Sequence, residues 1–138
     1  MTTSVSAELR RLVRERARGR CEYCGLSQEG QEATFHIDHV VPVTVGGLSQ
    51  ESNLALACVS CSLRKGARQE AEDPVTHLPA RLFSPRLDRW PEHFEWSGVV
   101  LIGTTAVGRA TIHALRLNRP LILAIRREEA LLGRHPPP

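Results

Sequence analysis

The chain has four cysteines, and they fall as two Cys-x-x-Cys pairs, Cys21/Cys24 and Cys58/Cys61. That spacing lets one backbone turn aim two thiolates at a common ion. Any fold open to this chain must therefore loop residues 25–57 out and return them, so that two separate turns meet at one point. In a reducing compartment disulfides seldom persist, so paired motifs of this kind read as metal ligands, and four thiolates suit a structural Zn²⁺. The opening residues hold no apolar run of signal-peptide or membrane-helix length, and no later window reaches about 18 apolar residues. A cytoplasmic protein without a membrane partner is expected. With 138 residues, the chain is sized for one compact unit with appendages.

Charge is unevenly spread. Residues 1–20 hold six arginines against two glutamates, whereas residues 21–63 contain no Lys or Arg and carry Glu22, Glu29, Glu32, Asp38 and Glu51. Such a central segment would repel a polyanion unless cations reside there. Basic residues resume with Arg64, Lys65 and Arg68. The pattern suits a cation-loaded centre flanked by phosphate-gripping arms, with ordinary solvated helix faces as the plain alternative.

Leu9, Leu12, Val13 and Ala17 recur at spacings of three and four, which predicts an amphipathic helix over 6–18 capped by Ser4 or Ser6. ATFHIDHVV reads as a β-branched strand ended by Pro42. Gly46-Gly47 allows a sharp or bulged connection, Leu54 to Ala57 leads into the second cysteine pair, and Ser60 to about Gln69 favours helix. Pro74, Pro79, Pro85 and Pro91 argue against long regular elements between 72 and 91. Beyond them a short strand is expected at 98–103, a helix over 105–117, and a last helix opened by Pro120. The terminal prolines suggest a disordered tail over 136–138. Four of the six aromatic residues, Phe83, Trp90, Phe94 and Trp96, gather in fourteen positions. They can stack on bases, but a satellite core is the reading favoured by the scarcity of aromatics elsewhere.

CEYC, then IDHVVP, GG, SNLALAC and finally CVSC followed by Arg64-Lys65 resemble, in order and spacing, the HNH endonuclease family. Members of that family build a strand-turn-strand-helix site, the ββα-metal fold. The resemblance is strongest over Cys21 to Gly66. LFSPRLDRWPEHFEW and IGTTAVGRATIHALRLN are similar to extensions on some bacterial members, without implying chemistry. The implied fold class is α+β: a basic N-terminal helix in 1–20, an HNH core over 21–70 stapled by the four-cysteine zinc site, and a C-terminal extension over 71–135 of one short strand and two helices.

The resemblance also implies roles. His39 would be the general base of phosphodiester hydrolysis, a role suited to an imidazole with an unperturbed pKa of about 6.5. Asp38 would bind the catalytic cation, and a hard carboxylate oxygen suits Mg²⁺ or Mn²⁺. Asn53 would position His39 by bracing the loop after the strand. His36 shares a strand face with Asp38 and can touch the cation or a phosphate. Many members with this cysteine arrangement place Asn or His directly after the last cysteine as a second ligand, and here Ser62 stands there, a shorter and weaker donor. Arg64, Lys65 and Arg68 would grip backbone phosphates. The expected substrate is DNA, cut to leave 5′-phosphate ends, with sequence specificity low or supplied by protein partners. The rival readings are a catalytically silent nucleic-acid-binding zinc module and a structural protein-interaction zinc domain. Zinc deaminase chemistry is set aside, because those enzymes pair a His-x-Glu motif with a cysteine-containing triad of ligands, and the nearby acid here is Asp38 in a different arrangement.

Overall fold

The computed structural model describes residues 4–138. The chain divides into two compact units, Met1–Ala67 with Ser84–Leu87, and Arg68–Phe83 with Asp88–Pro138.

In the first unit α1 spans Ala7–Arg16, where the Ser6 hydroxyl caps the Leu9 amide and Val13 is completely buried. The Arg16 guanidinium donates to the carbonyls of Glu51 and Leu54, which ties the helix end to the strand that follows. β1 (His36–His39) and β2 (Leu54–Ala57) pair antiparallel, with Asp38 opposite Ala55 and His39 opposite Leu54. All four residues of β2 are buried, so this strand is the floor of the unit. α2 runs Val59–Lys65 and stops at Gly66, short of the predicted Gln69.

The connection from β1 to β2 depends on both glycines. Gly46 has φ +95°, a conformation that side chains resist. A Cβ on Gly47 would lie 1.7 Å from the Val41 carbonyl oxygen, so the chain passes too close there for any other residue.

The second unit was expected to hold one short strand, and it holds four. β3 (Glu70–Glu72) pairs with β4 (Pro79–Arg81), and β5 (Phe94–Ser97) pairs with β6 (Val100–Gly103). β3 and β4 are three residues long, too short to print an alternation, and Pro79 opens β4 in a two-stranded ribbon that tolerates a missing amide. α3 (Ala106–Leu115) and α4 (Pro120–Leu131) complete the unit. The aromatic cluster is packed: Phe83 and Phe94 meet edge-on at 5.3 Å, and both are buried with Leu101, Leu115, Leu117 and Ile122.

Candidate functional site

The four cysteine sulfurs lie within 4.8 Å of one another, all buried. A Zn–S bond near 2.3 Å in a tetrahedron sets sulfur–sulfur edges of about 3.8 Å, and the Cys24 and Cys58 sulfurs are 3.8 Å apart. The two turns are built alike: the Cys24 amide donates to the Cys21 sulfur, and the Cys61 amide to the Cys58 sulfur. Without a cation the thiols cannot all ionise side by side. Hydrogen bonds with Cys21 push Cys24 and Cys61 up, while those from its neighbours pull Cys58 down. A group of this kind needs a divalent charge to become four thiolates, and the donor set fits Zn²⁺.

An open cleft of about 550 Å³ lies beside β1, and His36, Asp38, His39 and Ser62 line it together. Each has a partner. His36 Nδ1 is 2.9 Å from the Ser62 hydroxyl, which couples β1 to α2 and leaves Nε2 of that ring as the uncommitted nitrogen. His39 Nε2 is 2.8 Å from the Ser49 hydroxyl. If Nε2 carries the proton, Nδ1 is the lone pair left to accept one.

Asp38 is buried. Its Oδ2 accepts the Tyr23 hydroxyl at 2.7 Å and lies 3.2 Å from the Lys65 ammonium, while Oδ1 has only a 3.4 Å contact to the same ammonium. Burial pushes this carboxyl up, against the pull of Lys65 and Tyr23. Burial, followed by the Asp38 charge, pushes the Tyr23 phenol up in turn, so Tyr23 stays a neutral donor. Asp38 Oδ1 makes no contact shorter than 3.4 Å to Lys65, and the carboxylate, the Ser62 hydroxyl and the two imidazoles that line the cleft are residues that could hold a divalent cation.

Asn53 sits at the end of a short 3₁₀ turn before β2. Its side chain accepts from the Val41 amide at 2.8 Å and donates to the carbonyls of Val41 at 3.1 Å and Leu48 at 3.0 Å. It thereby closes the loop that presents Ser49 to His39. Neither Ser49 nor Tyr23 was singled out from sequence. Tyr23 lies inside the first Cys-x-x-Cys, the one local signal that a residue there is carried by the metal turn.

The cations expected to grip phosphate lie elsewhere than on one exposed face. Lys65 is 2% exposed, and its ammonium also reaches the His39 carbonyl at 3.0 Å. Burying its charge is tolerable because Asp38 faces it. Arg64 donates to the Ser60 hydroxyl, and Arg68 belongs to the second unit, where it donates to the Ala114 carbonyl.

A cysteine-bearing turn, a hairpin and a helix converge on this His/Asp cleft. Residues 21–68 match the HNH endonuclease family model. The match takes in both cysteine pairs and every cleft residue named above. Over this stretch the chain is similar to HNH domains, which act on nucleic acid, and its cysteine cluster fits zinc. A search of curated proteins returned no match. No helix among the described residues is long and apolar enough to cross a membrane.

Proposed function

We propose that the HNH domain hydrolyses DNA phosphodiester bonds with one divalent cation. The observation that carries this reading is the meeting of Asp38, His39, His36 and Ser62 around one open cleft. Asp38, through Oδ1, would hold Mg²⁺ or Mn²⁺, with His36 or Ser62 as the second protein contact. Such a cation offsets charge on the phosphate and on the leaving oxygen. With Nε2 protonated, His39 would accept the proton of the attacking water at Nδ1, while the Ser49 hydroxyl at Nε2 fixes the ring plane. Asn53 acts through the backbone, since the Leu48 carbonyl it holds is next to Ser49. Lys65 opposes the effect of burial on Asp38 and so favours the carboxylate form that a cation would need.

The test is nicking of supercoiled plasmid by purified protein with Mg²⁺ or Mn²⁺. The expected outcome is cutting by the wild type and a fall of about 10²–10⁴-fold in His39→Ala, the range for losing a general base. The second reading, a silent nucleic-acid-binding zinc module, is favoured by the hydroxyl that stands at position 62 and is already committed to His36. Plasmid bound but left intact under every divalent cation tried would decide for it.

A further inference from the structure

The segment that supplies the site has no Lys or Arg between 21 and 63, yet its cleft is not acidic. Asp38 is the one acidic residue lining it, and that charge is met by Lys65. Glu22 is turned away into an ion pair with Arg86 and accepts the Leu56 amide. The remaining acids, Glu29, Glu32 and Glu51, are not part of the lining. Two guanidinium groups do line it, Arg10 and Arg14 of α1. They stand four residues apart and so share one helix face.

The other arginines of the helical arm have different work. Arg16 and Arg20 bond backbone carbonyls, and Arg11 lies by Glu15 on the solvent side. The Arg14 side chain makes no hydrogen bond or ion pair with another described residue, and the Arg10 side chain uses only Nε, on the Val5 carbonyl, which leaves its two terminal nitrogens. A planar guanidinium presents paired N–H groups that match phosphate oxygens.

We infer that Arg10 and Arg14 form the phosphate-binding wall of this cleft, and that they hold the nucleic-acid backbone there without a divalent cation. This rests on the nucleic-acid reading of the same site and deepens it: the cleft is net cationic before any catalytic metal arrives, so binding and catalysis draw on different charges.

The experiment is fluorescence anisotropy of the full chain with a short labelled DNA duplex, without added divalent cation, across a salt series, with zinc content checked for each protein. Arg10→Gln/Arg14→Gln is compared with Arg11→Gln/Arg127→Gln, which removes the same charge from exposed positions outside the cleft. Glutamine keeps helix propensity. The expected result is wild-type binding without a divalent cation, weakened roughly tenfold in the α1 pair, with the log–log salt slope reduced by about 2, and less than twofold change in the control pair. Equal weakening in both pairs, or wild-type binding that appears only when Mg²⁺ is added, would overturn the inference. A plasmid that is bound through Arg10 and Arg14 but never cut would refute the nuclease reading and leave this one standing.

Discussion

The two units solve the problem of a small core in opposite ways. In the first, the buried residues around the cleft include four sulfurs, a tyrosine, a lysine and an aspartate, and β2 supplies only short and medium aliphatic side chains. In the second, Phe83, Phe94, Leu101, Leu115, Leu117 and Ile122 make an apolar interior. Charged groups are buried there as well and are paired: Asp73 meets Arg109 in a two-pronged ion pair, and Arg126 lies over the Trp96 ring. The first unit gathers four cysteine sulfurs at a site that fits zinc, beside a cleft lined by polar side chains; the second packs an apolar interior in which buried charges are paired.

The largest expected effect tests the metal half of that contrast. Cys58→Ser should unfold the first unit, because structural zinc contributes about 10–16 kcal/mol in small peptides, as much as a whole domain's stability. Hydrogen exchange should show Leu54–Ala57 amides losing protection while those of Leu101 and Leu115 keep it. Protection retained throughout would mean that the first unit holds without its fourth sulfur.

Phe94→Ala is the matching break in the second unit. Phe94 is 2% exposed, and its loss should cost about 3–5 kcal/mol, read from chemical denaturation followed by Trp fluorescence, with zinc content unchanged. A cost below about 1 kcal/mol would say that the aromatic cluster is not what holds this unit.

Tyr23→Phe sharpens the link between metal turn and cleft. Removing the hydroxyl leaves a buried carboxylate one donor short, a loss of about 1–3 kcal/mol. Nicking should fall while zinc remains bound. Unchanged activity would mean that the zinc turn supports the cleft only mechanically.

The gentlest probe is pH. The Arg109 guanidinium holds the Asp73 carboxyl well below its ordinary value of 3.8. A carboxyl depressed in the folded state stabilises above its unfolded pKa, and that contribution is lost as pH falls through the folded value. The midpoint of thermal unfolding of the second unit should therefore drop below about pH 4, and the drop should be smaller in Asp73→Asn. Identical acid profiles for the two proteins would remove this pair from the account.

Much of the fold was legible because its signals are local. The spacing of the cysteines named a common ion, the three-and-four recurrence of Leu9, Leu12 and Val13 named α1, and the β-branched run around Asp38 named β1. The strands of the second unit were missed where three residues are too few for any period, at β3 and β4, and where β5 was read for its aromatics alone. Residue types in a motif likewise pointed to Asp38, His39, Asn53 and Ser62, because each is set within a few positions of a metal turn or a strand.

What the chain's order could not decide is which distant group each of these would meet. Lys65 looks like Arg64 in sequence, but one turn of helix aims it at Asp38, 27 residues away, and out of solvent. Arg10 and Arg14 look like the rest of a basic arm until α1 lies against β2 and turns one face to the cleft. Spacing along the chain encodes local geometry and shared ions; the pairing of charges across the fold depends on packing, which only the assembled three-dimensional structure specifies.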